Sequence, residues 1–494
     1  MKFIGWGTSK CFNDLYDQLS LKIDYLIDSD SSKWNSQVRG LEVYAPERIL
    51  SEDTKDTIII IFSSYDKEIR SKIQNMGNYR VVNAYFIESI MNHNKGFFWG
   101  ISYHLFYPIW WMINILVKFR FKKLRVKRLW HMHIGHLAAN TECDLRQQSI
   151  KEDDERALTI YICDFKKPYN EICNKDLLNM IRRRALVIQN PMILNCLFNV
   201  IKINPLSYCD ESSDPFYLPT PSYNYDVFNN VPRQLSLTSE EETQGVEILQ
   251  RMGIKPEEKF ICFHNRDDAY FKKVLQDEAE KMPGIKAHNI RNFSVQSLLP
   301  AIEYITEKGM YGLRMGVVAN ERVMNENPRV IDYALDYRTE FGDVYLTTHC
   351  KFFLAGTTGL SVLPIVFDIP VIATNMLPLG LPTYGKNDLF IPKKLWSTKY
   401  KRFLTFREQV EIEGNKWVEK IPYADLGIEI IDNSAEEILA VTKEMNDRID
   451  GVWVTTQEDE EMQAQYKALF VNLKCAGFPA RIGAQFLRQN RELL

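Results

Sequence analysis

The segment FLAGTTGLSVLPIVFDIPVI (353–372) runs from an apolar strand ending at Ala355 into a turn, and from the turn into a helix. The turn is built from Gly356, Thr357, Thr358, Gly359 and Ser361. Unbonded N–H groups at a helix start, with hydroxyls beside them, suit a phosphate. A second strand end, HNRDDAYF (264–271), offers Arg266, whose planar fork matches phosphate oxygens, and Asp267, a candidate base. LRMG (313–316) puts Arg314 in a strand beside a glycine, where a charge needs an anionic partner. HIGHL (133–137) sets His136 next to Gly135, with His133 two residues further back. An imidazole titrates near working pH, so His136 is the candidate general base. These residue types describe group transfer: cations and a turn to hold a phosphorylated donor, and a base to deprotonate an acceptor hydroxyl.

Such residues need strand ends to carry them, and the chain supplies strand–turn–helix units throughout. Residues 1–95 hold KFIGWG, KIDYLIDSD and DTIIIIFSS, apolar runs that predict the parallel strands of a small Rossmann-like α/β domain. RLWHMHIGHL is expected to open a further α/β half over 129–235, its later part a Pro-, Ser- and Asn-rich loop. Residues 236–405 form a second half. Its first helix is SLTSEEETQGVEILQRMGI, with Thr238 or Ser239 as N-cap, and its strands end at the polar clusters above. Residues 406–494 read as a mostly helical region packing back on these halves.

Composition narrows the class. The 494 residues are 45% hydrophobic and 25% charged, with net charge -3. That is a globular, multi-domain chain, and its charge gives no general attraction for nucleic acid. Nine scattered cysteines without a CxxC pair imply neither a disulfide framework nor a zinc site. The amino terminus enters a strand at once, so no secretory signal is expected.

Residues 96–128 differ in character. An aromatic run containing Trp99, Trp110 and Trp111 leads into KFRFKKLRVKR (118–128), which includes Lys122, Lys123 and Arg125. About 20 apolar residues are enough to span a bilayer. A span, however, would strand residues 1–95 on the far side. A segment lying in the membrane interface, its aromatic residues at headgroup level and its cations toward anionic lipid, avoids that conflict.

Two further signals are weaker. GWG with Asp28 after the second strand outlines a nucleotide or sugar site at Gly5, Gly7 and Asp28, but the third glycine of GxGxxG is missing. The acids of DSD (28–30) close a strand in a unit too small to be a metal-dependent transferase fold, so no metal and no cofactor is expected.

The runs IGHLAANTECDLR, NRDDAYFKK, HNIRNFSVQSLLPAIEYITEKGMYGLRMG and GTTGLSVLPIVFDIPVIATNMLPL occur in that order. DLFIPKKLW, FLTFREQ and PARIGAQFLRQN follow. Together, across 129–494, the chain resembles a group of bacterial glycosyltransferases encoded in surface-polysaccharide clusters. Residues 1–95 are similar to small Rossmann-like domains appended to sugar-modifying enzymes. The resemblance implies a GT-B-like fold, two Rossmann-like halves facing across a cleft, and a nucleotide-sugar donor. The expected activity is a metal-independent glycosyltransferase at the cytoplasmic face of the bacterial inner membrane, its acceptor a lipid-linked oligosaccharide. Transfer of a pyruvyl or glycerol-phosphate group, or a non-enzymatic nucleotide-sugar-binding scaffold, are the alternatives.

Overall fold

The computed structural model describes residues 2–8, 10–18, 22–63, 66–84, 107–120, 123–150, 157–163, 171–203, 218–273, 285–416 and 421–494. These form two compact units, each assembled from separate stretches of the chain.

The first unit takes in residues 1–129, 152–164 and 185–217. Its larger sheet contains β1 (Lys2–Trp6), β2 (Tyr25–Ile27), β3 (Gln37–Val38), β4 (Leu41–Tyr44), β5 (Thr57–Ile61) and β6 (Arg80–Asn83). Their spatial order is β3-β4-β2-β1-β5-β6, parallel apart from the β3–β4 hairpin. All five residues of β5, TIIII, are buried, as expected of a central strand covered on both faces. A second, parallel sheet in this unit holds β7 (Lys123–Arg128), β8 (Ala157–Ile162) and β9 (Leu186–Ile188). Val126, Ile160, Ile162, Leu194 and Phe198 share one core with Phe12, Leu26, Ile58 and Phe62.

That shared core bears on two expectations. Lys123 and Arg125 of the basic run belong to strand β7. Arg125 is buried at 7% exposure. Segment 129–235, expected as one half, is divided instead. Its strands join the first unit, while helices Ile134–Ser149 and Lys175–Arg182 join the second. Trp99 and Lys122 lie outside the described residues. Trp110 and Trp111 fall in the helix Tyr107–Arg120, and Trp111 is exposed.

The second unit comprises residues 130–151, 165–184 and 218–494. Its seven-stranded sheet consists of β10 (Phe260–His264), β11 (Tyr311–Arg314), β12 (Val330–Ile331), β13 (Phe353–Ala355), β14 (Val371–Met376), β15 (Leu389–Pro392) and β19 (Arg481–Ile482). All pairings are parallel, in the order β12-β11-β10-β13-β14-β15-β19. A small antiparallel sheet of β16 (Lys394–Ser397), β17 (Arg402–Phe403) and β18 (Ile428–Ile431) follows β15. Helices Ala435–Ile449 and Gln457–Ala468 bury Ile438, Val441, Met445 and Tyr466 in the core that contains the strand residues Ile261, Phe263, Leu354 and Ile372. Helix Ser239–Arg251 is started by a capping box: Thr238 accepts from the Glu241 N–H, and Glu241 accepts from the Thr238 N–H.

Candidate active site

Strand order locates the crevice. From β10 the chain moves outward to β11 and β12, then crosses back to add β13 on the other side of β10. The carboxyl ends of β10 and β13 therefore flank a topological switch point, where open α/β sheets leave room for ligands. The register brings these ends level, since His264 pairs with Ala355 and Phe263 with Arg314. The polar cluster 264–268 and the turn 356–361 thus emerge side by side.

The structure assigns partners to most of the candidate donor residues. Arg314 has a side chain only 2% exposed, in an ion pair of 3.3 Å with Asp332. Its other terminal nitrogen donates to Asn265 Oδ1 at 3.3 Å. The anionic partner it requires comes from β12's end, so Arg314 is a positioning residue rather than a surface open to a donor phosphate. From there the network continues: Asn265 Nδ2 donates to the Phe293 carbonyl at 3.2 Å. The Phe293 ring in turn fills the space beside Gly356, where an added Cβ would lie 2.5 Å from it. Gly356 is thus needed for packing.

Arg266 is buried, and Nη1 donates to the His288 carbonyl at 2.8 Å and also to Asn292 Oδ1. Lys393, just past β15, donates to the Asn292 carbonyl at 3.1 Å and to Asp432 at 2.6 Å. Both cations hold the 288–292 segment, and burial together with the Arg266 charge disfavours protonation of Lys393 in spite of Asp432. Asp267 accepts the Ala269 N–H and the Asn320 N–H, each at 2.9 Å. Its carboxylate fastens two loops together.

In the turn, Thr358 and Ser361 serve each other. Ser361 Oγ donates to the Thr358 carbonyl at 2.8 Å, and Thr358 Oγ1 accepts the Ser361 N–H at 3.2 Å. The helix that follows, Val362–Val366, has only 5 residues, so the expected dipole is small. Thr357 is different: its hydroxyl oxygen is shielded from solvent and has no hydrogen-bond partner among the described residues.

His136 lies in the same unit and reaches the same turn. HIGHL is not the end of a strand, because β7 closes at Arg128 and a 16-residue helix begins at Ile134. His133 is the N-cap residue without a side-chain cap bond, and His136 falls in the first turn. Gly135 is what allows the helix in. A Cβ there would lie 2.7 Å from the Gly359 carbonyl oxygen and 2.9 Å from its Cα. The glycine beside the imidazole thus admits the 356–361 turn, where the sequence suggested an acceptor.

Solvent reaches the His136 ring, yet surrounding protein holds its pKa below the ordinary imidazole value through desolvation, against an opposing hydrogen bond to Asn140. Nδ1 sits 3.2 Å from Asn140 Oδ1, and the Trp130 ring packs 4.7 Å away, centroid to centroid. With the amide oxygen facing Nδ1, that nitrogen carries the proton and Nε2 keeps its lone pair. His133 is more strongly affected, its pKa lowered to about 4 by burial and by the neighbouring histidines.

The Gly135–Gly359 approach makes an asymmetric prediction. Replacing a helical glycine by alanine ordinarily gains up to about 1 kcal/mol. Here the new methyl would meet backbone, which cannot swing aside, and overpacking of this kind costs about 1–3 kcal/mol. Gly135→Ala is therefore expected to lower the thermal midpoint. Gly359→Ala, whose Cβ would find Gly135 at an ordinary 3.6 Å, is expected to leave it unchanged. Calorimetry of the two variants checks the difference.

Sequence reasoning gave His264 and Asn265 no role and missed Asp332. His264 Nδ1 lies 2.9 Å from the Met315 carbonyl, and burial lowers its pKa to about 4, leaving it neutral. The contiguous HNRDD run signalled the first two; Asp332 stands 18 residues from its arginine, with no local pattern to mark it.

In the first unit, the expected ligand residues also have internal uses. Asp28 accepts from the Thr8 hydroxyl at 2.6 Å, the Thr8 N–H at 3.0 Å, the Asp30 N–H at 2.9 Å and Lys33 at 3.2 Å. A ribose hydroxyl would have to displace one of them. Gly7 takes φ of 107°, a turn that glycine favours, and a Cβ on Gly5 would lie 2.5 Å from Leu26. Among the described residues no group of His, Cys, Asp and Glu could hold a metal ion.

Comparison with known proteins yields one family match, to the model described as C2185-like, N-terminal, over residues 1–82. No curated protein matches the chain. Among solved structures, the E. coli ADP-heptose LPS heptosyltransferase II is similar at TM-score 0.35 and 12% identity, covering 54% of this chain and 90% of that one. A family 9 glycosyl transferase from Veillonella parvula is similar at TM-score 0.33 and 10% identity, over 65% of this chain and 97% of that one. E. coli heptosyltransferase WaaC with ADP follows at TM-score 0.22 and 11% identity, over 79% and 91%.

Proposed function

We propose that this chain is a glycosyltransferase moving a sugar from a nucleotide-sugar donor to a hydroxyl of a lipid-linked surface-polysaccharide precursor at the cytoplasmic face of the bacterial inner membrane. One observation carries the reading: the helix bearing His136 meets, through Gly135 and Gly359, the turn at the switch point between β10 and β13. A candidate base and a switch point, where open α/β sheets bind their ligands, thereby share one unit. The motif resemblance across 129–494 supports the same reading, as it does a GT-B-like pairing of halves.

In this mechanism the donor diphosphate lies against the 356–361 turn, within reach of the uncapped amino end of the Ile134–Ser149 helix. Arg266 adds positive potential from beneath. His136 Nε2 takes the acceptor's proton as its oxygen bonds to the anomeric carbon, and the nucleoside diphosphate departs with the electrons of the broken C–O bond.

The test is nucleotide release from UDP-, GDP-, ADP-, CMP- and dTDP-sugars by purified protein with a lipid-linked acceptor extract. Acceptor-dependent release from one donor class is expected, and unchanged in EDTA, since protein cations offset the phosphate charge. Silence across the panel with acceptor shown to be present would count against sugar transfer.

A further inference from the structure

We infer that the helices Tyr107–Arg120 and Pro191–Ile203 of the first unit form a joint apolar face that seats the protein on an anionic lipid bilayer. The two helices pack against each other. On the first, Trp111, Met112, Ile115 and Leu116 recur at one-turn spacing and are exposed, Leu116 at 59%. On the second, Met192 and Ile193 occupy the exposed side, Met192 at 69%, while Leu194 and Phe198 turn into the core. So many large apolar side chains on adjacent helices form a patch rather than the scattered exposure of an ordinary surface.

Charge identifies the occupant. The first helix ends in Lys118 and Arg120, and no aspartate or glutamate occurs anywhere in 96–128 or in 186–204. Helices whose own segments carry cations and no acid complement anionic headgroups above acyl chains. A second protein surface would ordinarily be met by charges of both signs at its rim. The described helix of 14 residues is about 21 Å long, against a hydrocarbon core of about 30 Å. Among the described residues no helix is long and apolar enough to cross a membrane.

The sequence marked the first helix alone, and the second is what the structure adds. This inference rests on the membrane part of the proposed function but not on sugar transfer. A soluble-acceptor assay and a vesicle assay therefore fail separately.

The experiment is flotation of the full chain with vesicles of phosphatidylcholine, with and without one third phosphatidylglycerol, at low and high salt. Binding is expected only with the anionic vesicles, weakening with salt. Met192→Glu/Ile193→Glu and Trp111→Glu/Leu116→Glu should each reduce the bound fraction at least tenfold. Leu50→Glu, on an exposed side chain of the same unit, should bind like the unaltered protein. Circular dichroism and thermal midpoints of the variants check that each remains folded. Unaltered binding by the Met192/Ile193 variant would overturn the two-helix face. So would absence of binding to either vesicle, or a dimer in solution that these substitutions convert to monomer.

Discussion

Alanine at His136 is expected to reduce turnover by roughly 10²–10⁴-fold, the usual contribution of a positioned general base, with donor affinity and thermal midpoint unchanged. The side chain is solvent-exposed, so its removal opens no cavity, and its polar tie among the described residues is to Asn140. The pH profile gives a second readout. Desolvation lowers the His136 pKa, so the neutral, proton-accepting form dominates throughout the neutral range. Rate should stay level as pH falls from 8 and drop only below the ordinary imidazole range of about 6.5, as the ring gains its proton.

Asn140→Leu sharpens the test. The amide accepts from Nδ1 and stabilises the charged ring, so its loss should shift the acidic limb to still lower pH. Turnover should fall as well, because the imidazole is then free to rotate. A purely structural histidine predicts neither shift. Full turnover by the alanine variant on the accepted donor would remove His136 from the mechanism.

Strands that read as continuous apolar runs sit where the sequence suggests, because a strand covered on both faces leaves a purely local signature. KFIGW, TIIII, FICFH and VIATNM all do so. The same holds for the Thr238 capping box, which needs only a four-residue pattern. What local pattern cannot contain is who neighbours whom. KLRVKR looks like a headgroup contact because its charges dominate; as β7 it pairs with β8 and buries Arg125 and Val126. HIGHL looks like a strand end, and only packing against Gly359 explains its glycine. The switch point depends on β13 returning beside β10, an order that emerges in space alone. The 264–268 cluster and the 356–361 turn were visible as chemistry; their nearness was not.

The largest stability effect is expected at Arg314. Its guanidinium and the Asp332 carboxylate are both almost fully buried, at 2% and 5% side-chain exposure. Removing one partner leaves the other charged in a medium that solvates it poorly, so Arg314→Met should cost about 3–5 kcal/mol. For a unit this large that is a fall on the order of 10 °C in thermal midpoint. The Val323 N–H, which donates to Asp332 Oδ2 at 3.0 Å, supplies only part of the missing solvation. Arg314→Met with Asp332→Leu removes both charges and should recover most of the loss, since an apolar pair of similar volume is often no worse than a buried ion pair. A double-mutant cycle measures this coupling directly. It also separates two roles for the arginine. If Arg314 positions Asn265, and through it Phe293 and Gly356, the stable double variant should bind donor within about tenfold of the unaltered protein, the loss of one modest hydrogen bond. If the guanidinium instead touches the donor phosphate, restoring stability would not restore binding, because a charge-assisted contact would still be missing. The internal pairing with Asp332 and Asn265 favours the first outcome, for a side chain so enclosed can act on the turn only through its neighbours.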